Sequence, residues 1–392
     1  RTHRLTCLQA VLPVCAFGIW MQGTAARAQA GAPDAPETGL YPPVTVTAPA
    51  LPYRQFDRVE ITGSSIIRKE QTQALPVQVI TREDIRRSGM RTLSEVLQSL
   101  PLMGNFVESA QLGMVVGGYH NAAIHGMPNG TLVLVDGLRL APFGRPTVAG
   151  PERSGTDLST LPLADIERIE VLRGPATLLY GGSAIGGVVN MIDNRIARER
   201  MFDDNAGVMG KAEVRAGGAA DERSAGAMVE AGNDKLVLHV DAFERRTQNL
   251  HVPKDMHCGE GVAAVPNGRR VCNSASHNKG GAVGGTLLFD RGYLGLSTSE
   301  YRSTYGTVAE PTVSIGMLRR HHVMEGQWRE AGAFQDVKFQ LGHTRYTHTE
   351  FETPQATDGT RFDNKGHDFR LEGRQSAISL GNGMQLEGVL GI

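Results

Sequence analysis

The sequence predicts a mixed α/β domain followed by the antiparallel strands of a transmembrane β-barrel. An export signal stands at the amino end, a middle section alternates strand and helix patterns, and a long final section alternates apolar and polar residues. Glycine accounts for 48 of 392 residues, well above the usual ~7%, which indicates many turns. We divide the chain into a signal peptide (1–30), a flexible segment (31–57), the mixed domain (58–193) and barrel strands (206–392).

The amino end has the parts of a secretory signal. A basic start, Arg1–Arg4, precedes an apolar run, Leu8–Trp20, and residues 26–30 offer two overlapping A-x-A cleavage sites. The apolar run is shorter than the ~20 residues of a membrane-spanning helix, so we expect a cleaved signal. The chain starts at Arg1 rather than Met and ends inside an alternating run, which suggests an amino-terminal fragment.

Charge and cysteine content narrow the class of protein. With 40 Lys and Arg against 41 Asp and Glu, no basic field marks a nucleic-acid partner. Signal cleavage leaves two cysteines in an exported, oxidising compartment, and we expect Cys258 and Cys272 to form a disulfide. Because His251, His257 and His277 flank them, a metal site is the alternative.

The flexible segment contains a short β-prone island, "PPVTVTAPA" (42–50), with prolines on both sides. An isolated strand of this kind has no internal partner. It suits pairing with the sheet edge of another protein.

The mixed domain opens with clear helix signals in "LPVQVITREDIRRSGMRTLSEVLQSLP". The pattern predicts a strand over Val77–Ile80, a helix capped by Thr81 with Asp84 three residues on, and a second helix capped by Thr92 and stopped by Pro101. The second helix presents one apolar face, formed by Leu93, Val96, Leu97 and Leu100. Further on, "TLVLVDGLRL" predicts a hairpin that turns at Asp136-Gly137.

A glycine-rich segment follows in "IERIEVLRGPATLLYGGSAIGGVVNMI" (166–192), where four of the seven residues from Gly181 to Gly187 are glycine. A phosphate-binding loop would need G-x-x-x-x-G-K-[ST] before a helix. That motif is absent from the sequence, and the β-branched residues after Gly187 indicate a strand. We therefore reject a nucleotide site.

Beyond Ala206 the pattern becomes that of barrel strands. In residues 235–243 Leu236, Leu238 and Val240 share one face, while His239 and Asp241 share the other. A long polar stretch, 246–279, alternates with a tight turn in "FDRGY" (289–293), as expected for long loops on one side of a membrane and short turns on the other. A soluble β-sandwich is the alternative, but it would not need an export signal and a preceding mixed domain.

These segments together resemble TonB-dependent outer-membrane receptors. "PPVTVTAPA" is similar to a TonB box, which implies that TonB binds Val44, Thr45, Val46, Thr47 and Ala48. The resemblance implies a plug domain inside a barrel of about 22 strands, of which about nine or ten precede Ile392, in the outer membrane of a Gram-negative bacterium.

The resemblance also implies roles for the residues of the glycine-rich signature. Its glycines would form tight turns and close packing inside the barrel lumen, and two of its charges, Glu170 and Arg173, would face the lumen and pair with the barrel wall. The signature residues are Glu170, Arg173, Gly174, Pro175, Tyr180, Gly181, Gly186 and Gly187.

The transported ligand is the remaining question. "GHTRYTHTEFE" (342–352) is similar to the zinc-uptake branch of the family, and this implies donors at Tyr346, His348, Glu350 and Glu352, to which His251, His257, His277, His120 and His125 are added as candidates. Two departures are that the expected apical loop, 143–155, has no histidine and that alternation puts His343 and His348 on opposite faces. A ferric siderophore or haem is the alternative ligand.

No sequence feature indicates an enzyme. The chain has neither a nucleophile elbow nor an H-E-x-x-H motif. We expect no cofactor apart from the transported metal. The expected partners are TonB, outer-membrane lipid, and a metal ion or metal chelate.

Overall fold

The computed structural model describes residues 77–90, 92–101, 103, 122–127, 130–141, 143–145, 153–155, 158, 161, 163, 166–202, 206–258, 265–266, 268–306, 312–352, 357–381 and 384–392. All of them belong to one compact unit, Arg58–Ile392. The predicted signal peptide and TonB box lie outside the described residues.

The first part of this unit, which we call the inner domain, is the described chain from residue 77 to residue 202. Its elements in chain order are β1 (Val77–Thr81), α1 (Arg82–Ser88), α2 (Leu93–Gln98), β2 (Thr131–Val135), β3 (Leu138–Arg139), β4 (Phe143–Arg145), β5 (Arg153–Gly155), β6 (Ile166–Arg173), α3 (Thr177–Tyr180) and β7 (Gly187–Asp193). Five strands form a sheet in the order β1-β6-β7-β2-β3, and β4 pairs with β5 separately. Within the five-stranded sheet β2 and β7 run parallel, and the other neighbours run antiparallel.

The two longer helices of the inner domain begin at the predicted caps. The Thr81 hydroxyl accepts from the Asp84 amide at 3.2 Å, and the Asp84 carboxylate accepts from the Thr81 amide at 2.9 Å, so the capping box is confirmed. Thr92 caps α2, which ends at Gln98 before the predicted stop at Pro101. The Ser99 hydroxyl donates to a carbonyl of the last turn at 2.7 Å and competes with the helical hydrogen bonds there.

The core of the inner domain lies between these helices and the sheet. Leu93, Val96 and Leu97 are buried on one face of α2, and they join sheet residues such as Ile169 and Val189 in one apolar cluster. Burying a side chain of this size contributes about 1.5–3 kcal/mol. The helix face predicted from its spacing is therefore the face that holds α2 on the sheet.

The second part of the unit, which we call the wall, is a nine-stranded antiparallel sheet. Its order is β20-β17-β16-β15-β14-β13-β10-β9-β8. The elements after the inner domain are β8 (Gly207–Gly217), β9 (Glu222–Gly232), β10 (Leu236–Thr247), β11 (His257–Cys258), β12 (Val265–Pro266), β13 (Ser276–Phe289), β14 (Gly292–Gly306), β15 (Val313–Ala331), β16 (Phe334–Glu352), β17 (Thr357–Gln375), β18 (Ile378–Gly381), β19 (Met384–Leu386) and β20 (Val389–Gly391).

The strands of the wall have one buried face and one exposed face. In β10 His239 and Asp241 are buried, whereas Leu238 and Val240 are 50% and 52% exposed. The predicted alternation is confirmed, with the polar side chains turned inward. Exposed apolar residues on the opposite face are the pattern of a surface in contact with lipid.

The connections of the wall alternate in length. Residues 233–235, 290–291 and 332–333 make short turns at one edge, and residues 248–275 join β10 to β13 at the other. This agrees with the predicted rhythm of short turns and long loops. Among the described residues, no helix is both long enough and apolar enough to span a membrane.

The glycine-rich segment folds into tight turns against its own domain. Gly181 and Gly187 have φ angles of 78° and 150°, which side chains disfavour. A Cβ at Gly187 would collide with the Leu172 carbonyl oxygen and lie 2.7 Å from the Ile124 side chain. Glycine is therefore required at Gly187 by backbone conformation and by close packing.

We expect Gly187→Ala to destabilise the inner domain by about 2 kcal/mol, because overpacking and backbone strain add. The measurement is the urea midpoint at which trypsin cleaves the inner domain of the purified protein. Gly182→Ala is the matched control, since a Cβ there meets nothing within 4 Å. Equal midpoints for the two variants would contradict this account.

Candidate functional site: the inner domain against the wall

The β2–β3 hairpin carries the inner domain to the wall. It turns at Asp136-Gly137 as predicted, with φ angles of 53° and 83°. The Gln340 side chain on β16 donates to the Asp136 carbonyl at 2.7 Å, and the Arg139 amide donates to the Asp368 carboxylate on β17 at 2.7 Å. The tip of this hairpin thus contacts two strands of the wall.

Arg198 lies at the centre of the contact between the two parts. Its guanidinium is 2.8 Å from the Asp136 carboxylate on the hairpin, and it donates to both oxygens of Glu325 on β15 at 2.7 Å and 3.2 Å. Glu325 is 0% exposed, and it also accepts from the Tyr293 hydroxyl and the Gln340 amide. A buried carboxylate needs such partners, because an unpaired charge costs several kcal/mol. We call Arg198, Asp136 and Glu325 the central latch.

A neighbouring carboxylate is coupled to the central latch. Burial raises the pKa of Asp136 to about 8, although Arg198 acts in the opposite direction. Burial also acts to raise the pKa of Asp193, but Arg195, 3.0 Å away, and several hydrogen bonds lower it overall. The two buried carboxyl groups therefore hold one negative charge more readily than two.

A second polar junction joins the end of β7 to the start of the wall. The Asn194 amide donates to Glu230 at 3.1 Å, and Arg195 is 3.4 Å from Asp241. His239 lies between these two carboxylates, with its ring nitrogens 3.1 Å and 3.0 Å from them. The sequence analysis predicted that His239 and Asp241 share the polar face of β10, but it assigned no function to them. A histidine and a carboxylate at alternating inward positions could have indicated a polar contact with the inner domain.

The wall pairing that we expected of the signature charges needs correction. Arg173 donates to Gln78 on β1, and Glu170 pairs with Arg168 at 2.7 Å. Both partners, Gln78 and Arg168, lie within the inner sheet. They are closer to β6 than the wall is, because one is on the neighbouring strand and the other is on the same face of β6. The wall pairing assigned to Arg173 falls instead to Arg198.

Another residue of the signature does contact the wall. The Tyr180 ring lies under the Arg370 guanidinium of β17, 4.8 Å from it, and the Tyr180 carbonyl accepts from Arg139. A backbone hydrogen bond from the Gly174 amide to the Gly186 carbonyl, 3.2 Å long, closes the loop that holds α3. The glycine turns thus position an aromatic side chain against a cation of the wall.

The inner face of β16 carries the residues of the predicted metal run. Tyr346 and His348 are buried and face inward, 3.3 Å apart, and the His348 ring is 3.7 Å from Glu350. Tyr346 packs with Tyr301 and with Ala141 of the inner domain. The structure thus brings three of the predicted donors to one face, while His343 is paired with His367 on the outward face, as alternation predicted.

The loop histidines do not join this set. His251 lies 3.1 Å from Asp221 and His277 lies 2.7 Å from Glu244, while His257 belongs to the short β11 strand. Hydrogen bonds from His251 and Arg270 lower the pKa of Asp221, and the bond from His251 is the larger cause. Over the described part of the chain, no group of three or more His, Cys, Asp or Glu residues is arranged to hold a metal ion.

The long loop after β10 is closed covalently. Cys258 and Cys272 form a disulfide, with Cα atoms 5.6 Å apart. The two cysteines thus close this loop in the structure.

Two further histidines were candidate donors in the first half of the chain. His120 lies outside the described residues, and His125 is an exposed turn residue with a φ of 53°.

Comparison with known proteins identifies the inner domain. Residues 69–188 match the family described as TonB-dependent Receptor Plug Domain, so this section of the chain is a plug domain, and we call the inner domain the plug from here on.

Over about four fifths of the chain, the fold is similar to that of two solved receptors and a solved transporter. A mutant ferric enterobactin receptor of Pseudomonas aeruginosa is 21% identical with a TM-score of 0.58, and the match covers 80% of this chain and 48% of that one. The siderophore receptor PirA of Acinetobacter baumannii is 18% identical with a TM-score of 0.53, over 80% and 47%. The copper transporter OprC is 13% identical with a TM-score of 0.54, over 77% and 43%.

The chain therefore spans about half the length of the structures that it matches. A plug domain of this family beside strands of this barrel fold belongs to the outer membrane, as the sequence predicted. The matches are to receptors and a transporter, in agreement with the expectation that the chain is not an enzyme.

We expect Glu325→Gln to weaken the docking of the plug by about 3 kcal/mol, because it leaves Arg198 without a full counter-charge in a buried site. The measurement is the urea concentration at which the plug of the purified protein becomes accessible to protease. Glu330→Gln is the control, since Glu330 and its partner Arg291 are 77% and 61% exposed and 3.7 Å apart, and such a pair contributes under about 1 kcal/mol. A Glu325 variant that behaves like the control would refute the latch.

Proposed function

We propose that this chain provides the plug and part of the barrel wall of a TonB-dependent receptor that takes up a scarce metal as a chelate, a ferric siderophore. The observation that carries the receptor class is the plug held against the inner wall by the central latch, with Arg198 between Asp136 and Glu325. A plug seated in this way closes the lumen. Uptake then requires the plug to move, and that movement needs energy.

TonB is the proposed source of that energy. The outer membrane has no ATP, so the work has to arrive mechanically from a partner. The segment Val44–Ala48 suits strand addition to the periplasmic domain of TonB, because backbone hydrogen bonds supply such a contact without a preformed pocket.

The inner wall supports a chelate as the ligand. The Arg319 guanidinium lies 6.0 Å from the centre of the Tyr301 ring, beside Tyr346. A planar cation next to aromatic rings suits an anionic aromatic chelate. These residues lie beside Ala141 of the plug, on the surface that a moving plug would uncover. Two of the matched proteins are named as siderophore receptors, one of them for ferric enterobactin.

Zinc is the second candidate, and one observation favours it. His348 and Glu350 face inward together, with a nitrogen and an oxygen 3.7 Å apart, and these are donor types that zinc prefers. A structural zinc site has four ligands. The remaining donors would have to come from elsewhere in the receptor or from the zinc ligand that is transported with the ion.

We expect Val46→Pro to abolish uptake while surface binding of the ligand persists. Proline removes a backbone donor and fixes φ, so the added strand cannot form. The measurement is accumulation of iron-55 ferric enterobactin by cells that express the full-length receptor, with binding measured separately on ice. Val46→Ala keeps the donor and should retain uptake; full uptake by the proline variant would exclude this segment as the TonB contact.

The ligand is decided by supplying the same cells separately with iron-55 ferric enterobactin and with zinc-65. We expect TonB-dependent accumulation of iron, and the double variant His348→Ala, Glu350→Ala should keep iron accumulation within about twofold, because a chelate arrives with its metal already coordinated. The matched control is His277→Ala, Glu244→Ala, which removes an exposed pair of the same residue types.

Two results would contradict the siderophore proposal. Zinc accumulation that is lost in the inner-wall variant but kept in the control would establish zinc as the ligand. Failure to accumulate either metal would remove both candidates and leave the fold unchanged.

A further inference from the structure

The outward face of β15, β16 and β17 has an ordered set of side chains that the uptake of a ligand does not use. Met324, Leu341 and Phe369 are direct cross-strand partners and form an apolar row. Leu341 and Phe369 are 42% and 51% exposed. This row belongs to the surface that contacts lipid acyl chains.

The next outward row, toward the long-loop edge, consists of histidines. His322 is the partner of His343, and His343 is the partner of His367. Their rings are 6.0 Å and 4.4 Å apart between centroids, and the Nδ1 atoms of His343 and His367 are 3.3 Å apart. Three imidazoles thus lie side by side just beyond the apolar row.

The row after that consists of cations. Arg320 is the partner of Arg345, and Arg345 is the partner of Lys365, and all three are exposed. Glu300 pairs with Arg320 at 2.7 Å. Asp363, two residues before Lys365 on β17, interacts electrostatically with Arg345 but forms its ion pair with Arg361 at 2.8 Å. Like charges directly opposite one another destabilise a sheet, so an anion from outside the chain would stabilise this row.

The three rows span about 14 Å along the strands and about 10 Å across them. Successive outward rows are about 6.8 Å apart along a strand, and strands are about 4.8 Å apart. An open groove of ≈ 470 Å³ continues from the array across β10, β13 and β14. Apolar residues and charged or polar residues share its lining, which includes Val240, Val283, Thr298, Glu300, Arg320 and His322.

We propose that these three rows, the outward array, bind the phosphorylated headgroup of a lipid in the outer leaflet. The phosphate accepts from Arg345 and Lys365 and from imidazole N–H groups, while the acyl chains lie along Met324, Leu341 and Phe369. Phosphate suits this surface better than a carboxylate does, because it offers more acceptor oxygens and up to two charges to a row of several donors. The array faces away from the plug, so this site is independent of the transported ligand.

The test compares lipid binding by two charge-matched variants. The full-length receptor is purified in a mild detergent, stripped of lipid, and titrated in native mass spectrometry with dioleoyl phosphatidic acid, dioleoyl phosphatidylcholine or inorganic phosphate. Arg345→Gln, Lys365→Gln should bind phosphatidic acid about thirtyfold more weakly than the parent protein, since each basic residue near a membrane surface contributes about 1 kcal/mol.

The control Arg246→Gln, Lys279→Gln removes two outward cations from β10 and β13 and should bind like the parent protein. Retained heat-modifiable migration in gels shows that each variant is folded. Equal loss of phosphatidic acid in both variants would reduce the site to general surface charge, and unchanged binding in the array variant would overturn it. Binding of inorganic phosphate as tight as that of phosphatidic acid would also overturn it, because the proposed site requires the acyl chains.

Discussion

The seating of the plug depends on how a buried carboxylate, Glu325, is neutralised. Glu325 is fully buried, and its charge is tolerable because Arg198, Tyr293 and Gln340 donate to it and the Lys338 ammonium lies 3.9 Å away. Tyr293 and Gln340 belong to the wall, and Arg198 belongs to the plug. Removing the plug would leave the wall with an underpaired charge, and the cost of that state holds the plug in place.

The strand period separates two functions across one sheet. In β15 Arg319, His321, Val323 and Glu325 face the plug, and Arg320 and His322 between them face outward. Because a shift of one residue would exchange the two faces, the pairing that seats Glu325 beside Arg198 also sets the outward array in line. The plug contacts and the lipid contacts are thus fixed by the same register.

Local rules explain what could be predicted from the sequence. The capping box at Thr81, the hairpin at Asp136-Gly137 and the alternation of β10 each depend on residues close together in the chain. The central latch could not be found in this way, because Arg198 and Glu325 are 127 residues apart and neither stands in a motif. The wall pairing assigned to Arg173 was wrong for a related reason. We inferred from the signature that Arg173 faces the lumen, but its side chain contacts Gln78 on the adjacent strand β1.

The topology of the plug sheet determines where a pull from TonB would act first. In the order β1-β6-β7-β2-β3, β1 is an edge strand and pairs within the sheet with β6 alone. The proposed TonB box precedes β1 in the chain, so a force transmitted along the chain reaches Val77 before any other described residue of the sheet. The Val77–Leu172 pair is at the end of the ladder and can be separated without disturbing β7 or the central latch. Peeling an edge strand breaks a few hydrogen bonds at a time, whereas displacing the whole plug requires the buried charges at Arg198 and Arg195 to separate together. The structure therefore favours stepwise remodelling that begins at the β1 side of the plug and reaches the latch side last.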